Sequence, residues 1–260
     1  MNVSNKLLQV KDVRKVFGKG QSETHALKGI TFDVLRGEFL GIMGASGSGK
    51  TTLLNTIATM MKPTSGQILL DGQNIASFKG GKLAAYRGDQ IGYLFQQFEL
   101  IDNLTAQENI MLPLMIHGVN LKAQEQELLQ LARQFDIEEV LYKFPAQLSG
   151  GQKQRVAAAR ALISNPSIVL ADEPTGALDT KNAKVLMEKL SEHNEEQAST
   201  ILMVTHDANA ASYCSRILFI QDGVIFHELR KNVPGESQEA FYERIVMVMA
   251  QLAGGSSNVL

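Results

Sequence analysis

The stretch Gly44-Ala45-Ser46-Gly47-Ser48-Gly49-Lys50-Thr51-Thr52 carries the clearest chemistry in this sequence. It fits the spacing G-x-x-x-x-G-K-[ST] in full, after an apolar run and before a helical pattern, which is the context such a loop requires. Its glycines let main-chain amides approach phosphate oxygens, Lys50 reaches the β- and γ-phosphates, and the Thr51 hydroxyl suits Mg2+. The loop reads as a cradle for ATP.

Asp172 and Glu173 form the second element. Ile168–Ala171 is an apolar run that makes a buried strand, and Asp172 stands where it ends. In a parallel sheet the carboxyl ends of the strands form the ligand edge, so Asp172 is placed to hold Mg2+ beside Thr51. Glu173 is then the natural general base for a water attacking the γ-phosphate. His206 closes the strand pattern "TILMVTH", which brings a third strand end to the edge of Gly44 and Asp172. Ser149-Gly150-Gly151-Gln152 raises a different question. A flexible turn whose serine opens a helix is a good anion holder, yet the phosphates already have Lys50 and Thr51. Either these residues are a plain helix cap, or they close over a nucleotide bound to a second copy of the chain, giving a two-fold dimer with two ATPs at its interface.

The chain has 260 residues, enough for one large domain or two small ones. A net charge of −2 gives no overall field for nucleic acid or anionic lipid. The single cysteine, Cys214, excludes an intrachain disulfide and fits a reducing compartment. "MNVSNKLLQVKDVRK" has no apolar core of a secretion signal. No apolar run approaches the ~20 residues needed to span a bilayer, so a soluble, cytosolic chain is expected, free to attach to a membrane-embedded partner.

The elements that must position these residues follow from periodicity. "LLQVKDVRKVF" and "ALKGITFDVLRGEFLGIMG" alternate or cluster apolar and β-branched residues, which predicts strands. "GKTTLLNTIATMM" predicts a helix ended by Pro63 and Gly66, and "GQILLDGQNI" a strand pair about an Asp-Gly turn. From about 98 to 164 the pattern is helical. It has a capping box at Thr105 and Glu108, a kink at Pro113, and Leu128, Leu131, Ala132 and Phe135 at helical spacing. Strand-helix alternation then returns with "SIVLAD", "TKNAKVLMEKLSEHN", "STILMVTH" and a hairpin about Asp222-Gly223. Alternation of this kind predicts a parallel sheet with helices on its faces. Phe241, Ile245, Val248, Met249 and Leu252 share one face of a last helix, expected to pack on the core or on a second subunit. The terminal "GGSSNVL" is expected to be flexible.

In order and over most of the chain, "GASGSGKTT", Gln96 in "YLFQQ", "LSGGQKQR", "LADEP", "GALD" and "VTHD" resemble the nucleotide-binding subunit of ABC transporters. The resemblance implies an α/β fold: a P-loop NTPase (RecA-like) core with an antiparallel β subdomain, about 1–97 and 165–232, and an inserted α-helical subdomain, about 98–164. A C-terminal helical extension and tail would occupy 233–260. It also implies ATP hydrolysis with Mg2+ in a head-to-tail ATP sandwich. Phe17 matches the aromatic that stacks on adenine, where tyrosine is more usual; the alternative is a core phenylalanine. Gln96 matches the residue linking the γ-phosphate and Mg2+ to the transport subunit, with Gln97 as its adjacent alternative. Asp179 matches the loop that crosses the dimer interface, or caps the next helix, or both.

More narrowly, in "IMGASGSGKTTLLN", "YRGDQIGYLFQ", "DEPTGALD" and "VTHDANAASYCSRILFIQDG" the chain is similar to the ATPases of antimicrobial-peptide resistance exporters, the bacitracin and lantibiotic type of Gram-positive bacteria. Related ATPases for lipoprotein release, macrolide export or cell-division signalling share "SGSGKTTLLN" and "DEPTGALD". The implied partners are a second copy of the chain and a polytopic membrane permease, which puts the chain at the cytoplasmic face of the membrane. A sensor kinase is a further candidate, and no nucleic acid is expected. "FELIDNLTAQENIMLPLMIHG", apolar and methionine-bearing, is either the permease-docking surface or core of the helical subdomain. Two other classes compete: a soluble DNA-repair or translation ATPase using the same sandwich, and a small-molecule P-loop kinase, which would not need Ser149–Gln152.

Overall fold

The computed structural model describes residues 5–232 and 235–253. Alternating apolar residues form β1 (Lys6–Phe17) and β2 (Thr24–Leu35), an antiparallel pair. β3 (Phe39–Met43), buried along its whole length, leads into α1 (Lys50–Ile57). β4 (Ser65–Leu70) and β5 (Gln73–Asn74) follow, joined by Asp71 and Gly72, both at the positive φ that a tight hairpin turn demands. α2 (Gly80–Gln90) and β6 (Ile91–Leu94) come next. The helical stretch comprises α3 (Ala106–Ile116), α4 (Glu125–Gln134) and α5 (Gly150–Leu162). β7 (Ile168–Asp172), α6 (Thr180–Gln197), β8 (Ile201–Thr205) and the single turn α7 (Ala208–Ala211) then alternate. The hairpin β9 (Arg216–Gln221) and β10 (Val224–Arg230) precedes α8 (Gln238–Ala253).

The expected strand-helix rhythm is present, with two departures. α1 stops at Ile57, well short of Pro63. Thr59 takes φ 60°, and Arg87 of α2 holds it, donating from Nε to the Thr59 hydroxyl at 2.8 Å and from Nη2 to its carbonyl at 2.6 Å. A tertiary contact, not the proline, ends that helix. The second departure is α2 itself, which no pattern announced: it opens on two glycines, lacks a side-chain cap and buries no residue. The capping box of Thr105 and Glu108 is present, and Pro113 lies within α3.

The strands make two sheets. One is antiparallel, four-stranded, in the order β2-β1-β4-β5; the other has six strands in the order β10-β9-β3-β8-β7-β6. In the larger sheet β9, β3, β8, β7 and β6 run parallel and β10 is an antiparallel edge. Both faces are covered, as parallel sheets require. Leu40, Ile42, Leu170, Leu202 and Val204 pack with the antiparallel sheet and α1, while Phe39, Met43, Val169, Ala171, Ile201 and Met203 pack with the helices of the opposite layer. The period of two along each strand feeds the two cores alternately.

α8 belongs to that second core. Phe241 and Ile245 are buried there, and Val248, Met249 and Leu252 pack against it, so of the two expected positions for this helix the core is the one found. The tail expected to be flexible, 254–260, lies outside the described residues. Cys214 is fully buried behind Gly41, and burial holds its thiol well above the usual cysteine range. Among the described residues no helix is long and apolar enough to cross a membrane.

His193 ties α6 to α4, its Nδ1 lying 2.8 Å from Gln134 Oε1. Burial lowers its pKa to about 4. The unfolded chain therefore takes up this proton at higher pH than the folded one. The contribution is fully present above about pH 6.5 and is lost as pH falls toward the folded value. Between pH 7.5 and 5 the group should cost about 2 kcal/mol of stability. Urea unfolding of the wild type and of His193→Gln at both pH values checks this: the variant should lose less stability on acidification.

Candidate active site

Four neighbouring strands, β3, β8, β7 and β6, end at one edge of the larger sheet. Met43 is level with Thr205, Asp172 with Val204 and Ala171 with Leu94. Gly44, His206 and Asp172 thus emerge side by side as expected, and β6 adds Phe95 and Gln96 to the same edge.

The loop after β3 is held by its glycines. A Cβ on Gly44 would stand 2.1 Å from the Ile220 carbonyl oxygen, and Gly49, which opens α1, has φ 103°. Ala45, Ser46 and Gly47 are exposed, and Thr52 is half-buried. The Ser48 hydroxyl is buried and has no hydrogen-bond partner among the described residues. Lys50 is buried beneath the loop and donates to the carbonyls of Gly44 at 2.8 Å and Ala45 at 2.9 Å. Burial pulls its ammonium below the ordinary lysine range, against the opposing pull of Glu173 and Asp172. An N-terminal helix end, loop amides, a cation and an orphan hydroxyl make a site for the phosphates of a nucleotide.

The carboxylates stand opposite. Thr51 Oγ1 donates to Asp172 Oδ1 at 3.3 Å. Burial raises the Asp172 carboxyl, the Thr51 hydrogen bond works against this, and Glu173 adds to the rise. One hydroxyl and one carboxylate suit Mg2+, which keeps several waters and phosphate oxygens in its shell, so the residues present fit that ion. Glu173 takes φ 46°, fixed by its amide donating to Val204 O at 2.9 Å. A non-glycine residue in this region is held there by its surroundings. Its carboxylate is gripped from two sides: His206 Nδ1 lies 3.2 Å from Oε1, and Gln96 Nε2 donates to Oε2 at 3.4 Å. Gln97 turns instead to a groove it shares with Phe98, Leu100 and Lys153, which distinguishes the two glutamines.

The remaining candidates lie elsewhere in the chain. Phe17, at the end of β1, is 39% exposed with Lys15 Nζ 5.1 Å from its ring centroid, so it is not a core residue. Ser149 and Gln152 cap α5 reciprocally: the Gln152 amide donates to Ser149 Oγ at 3.2 Å and the Ser149 amide to Gln152 Oε1 at 2.9 Å. Gly150 faces Phe98, and Gly151 is pressed so closely on Asn182 that a Cβ would meet its Oδ1 at 2.0 Å. Asp179 caps α6, accepting from the Asn182 amide at 2.8 Å. The Ser149 loop and the Asp179 cap therefore meet at Asn182.

Sequence reasoning missed two contributors that brace the phosphate loop and Asp172. The Asp222-Gly223 turn reads as an ordinary hairpin, yet the Gly223 amide donates to Ser48 O at 3.1 Å and its carbonyl accepts from the Lys28 amide at 2.8 Å. The turn props the phosphate loop from below. Tyr93 on β6 donates to Asn55 Oδ1 at 3.1 Å and reaches Asp172, and burial with the Asp172 charge raises its phenol. A tyrosine in a strand carries no signal of this.

A phosphate loop on a parallel sheet, with an antiparallel sheet on one side and helices inserted between β6 and β7, defines a P-loop nucleoside triphosphatase with a RecA-like core. A family model described as ABC transporter matches residues 27–176, and the chain belongs to that family as its ATP-binding, ATP-hydrolysing subunit. It is 47% identical over 253 residues to the ABC transporter ATP-binding protein YxdL of Bacillus subtilis, covering 97% of each chain. It is 46% identical over 248 residues to the bacitracin export ATP-binding protein BceA of Halalkalibacterium halodurans, covering 95% of this chain and 97% of that one. Among solved structures, it is similar to the ATP-binding cassette MJ0796 in a dimeric post-hydrolysis state bound to ADP and Pi, with TM-score 0.78 and 40% identity, covering 86% of this chain and 98% of that one.

Gly72 and Gly223 occupy like turns, at φ 74° and 79°, but a Cβ on Gly72 meets nothing within 4 Å whereas one on Gly223 would stand 2.7 Å from Ala26 O. Both Gly→Ala changes should cost about 1–3 kcal/mol of stability through left-handed strain. Only Gly223→Ala should also weaken ATP binding, which isothermal titration of the two variants measures.

Proposed function

We propose that the chain works as an ATP-sandwich dimer that powers a membrane permease in resistance to antimicrobial peptides of the bacitracin or nisin type. The observation that carries the dimer is the division of phosphate-binding parts within one chain. Lys50 and Thr51 gather with Asp172 and Glu173, while Ser149–Gln152 lie against Phe98 and Asn182. Joining the halves takes a second copy, which agrees with the dimer described for the MJ0796 cassette. In this reading Gly44–Thr52 hold the phosphates and Phe17 stacks on adenine. Ser149, Gly150, Gly151, Gln152 and Asp179 meet the nucleotide of the partner. Thr51, Asp172 and Gln96 would hold Mg2+, whose chemistry there is to neutralise phosphate charge.

Glu173 is the general base. Its carboxylate, oriented by His206 and Gln96, takes the proton of the attacking water, and Lys50 stabilises charge on the phosphate oxygens. The permease surface is the exposed apolar side of the helical stretch, where Ile101, Met115, Ile116, Tyr142 and Phe144 lie open while Ile110, Met111 and Leu114 are core. The segment singled out in sequence therefore serves both packing and docking. The peptide-resistance role draws on the name of the bacitracin export relative, and it puts the chain at the cytoplasmic face of the membrane.

Glu173→Gln should lower turnover by roughly 100-fold or more while retaining ATP and forming a stable dimer, read by light scattering on the ATP-bound protein. A strictly monomeric ATP complex would overturn the sandwich. The same variant, tagged and drawn from detergent-solubilised native membranes with ATP, should bring down a polytopic permease. Recovery of ribosomes or nucleic acid without a membrane protein would hand the function to a soluble ATPase.

A further inference from the structure

One side chain lies beneath both halves of the hydrolytic edge. Gln154, on the first turns of α5, is completely buried. Its Nε2 donates to the Phe95 carbonyl at 2.9 Å and to the Pro174 carbonyl at 2.7 Å. Phe95 immediately precedes Gln96, and Pro174 immediately follows Glu173. With both amide hydrogens committed to carbonyls, the orientation of the side chain is fixed. Its Oε1 is buried with no partner among the described residues. A buried amide left half satisfied costs stability, so packing alone would favour an apolar residue of this shape.

The surroundings make the two contacts stiff. Gly92 of β6 lies so close to α5 that a Cβ would meet the Ala161 carbonyl at 2.0 Å. Farther along α5, Arg160 Nη2 donates to Phe98 O at 2.7 Å, and its Nη1 donates to Glu99 O. The segment carrying Gln96 is thus held at both ends by α5, and Gln154 ties it through α5 to the segment carrying Glu173 as well.

We propose that Gln154 is a positioning residue for hydrolysis: its carboxamide clamps the Phe95 and Pro174 carbonyls together and so sets the approach of Gln96 to Glu173. The inference rests on the reading of Glu173 as general base. It has a geometric corollary. Gln154 stands two residues beyond Gln152 on the same helix, so a shift of α5 when Ser149–Gln152 engage a nucleotide moves both clamped carbonyls, and with them the chain's own hydrolytic residues.

The test is steady-state hydrolysis and ATP affinity of the full chain with Gln154→Met, which keeps length and removes the donors, and with Gln154→Glu, which sets a carboxylate against two carbonyl oxygens. Misplacement of a reacting group by about 1 Å costs on the order of 100-fold, so kcat should fall roughly 10- to 100-fold in both, with the dissociation constant for ATP within about twofold. Circular dichroism establishes that each variant is folded; should the methionine variant not fold, the glutamate variant carries the comparison. Wild-type kcat in a folded variant overturns the proposal, as does a matching loss of ATP affinity. In a Glu173→Gln background, Gln154→Met should lower the residual rate no further, since a positioning effect needs the group it positions; an equal additional loss points to general damage and also overturns it. Wild-type turnover by Glu173→Gln alone would instead remove the general-base reading, a distinct failure.

Discussion

Parallel hydrogen bonding between β3, β8, β7 and β6 obliges all four strands to release their chains at the same edge. Most of the site follows from that constraint. Gly44, Gln96, Asp172, Glu173 and His206, distant in sequence, become neighbours because each is the last residue of a strand or the first or second past it, and no loop has to travel to bring them together. The sheet is rigid, being buried on both faces, so the edge holds its spacing. What remains for local chemistry is fine placement: glycines that let the phosphate loop turn over Ile220, a left-handed Glu173 with His206 beside it, and hydrogen bonds from Gln96 and Thr51 to the two acids.

The supports of this edge come from every layer. The antiparallel sheet and the β9–β10 turn brace the phosphate loop through Ala26 and Gly223, Tyr93 and Asn55 lie behind Asp172, and α5 grips the segment after β6. α5 begins at the Ser149 cap and ends against β6, so one helix connects the Ser149 turn with the sheet edge that carries Gln96.

The parts legible in the sequence were those written as pattern. Strands with alternating or continuous apolar residues, both Asp-Gly hairpins, the Thr105 capping box and the core face of α8 all followed from periodicity or turn chemistry. α2 was hidden because it buries nothing and starts on glycines, and the early end of α1 because Arg87 imposes it from another element. At the site, the phosphate loop, Asp172, Glu173 and His206 were readable from type and spacing. Gln154, Tyr93 and Gly223 were not. A buried glutamine reads like any surface amide, and Gly72 and Gly223 read as the same turn although only one leans on the loop. Such roles are defined by what lies across the fold, which spacing along the chain does not encode.

The burial of Cys214 behind Gly41 has a practical consequence. The chain's one thiol is sealed and kept protonated, so the native protein is already a blank background for thiol-directed labelling. A spin label or fluorophore attached through a cysteine introduced at the exposed Tyr142 or Met247 would report from that position alone. Distances from that position become measurable without first removing a native residue from the core.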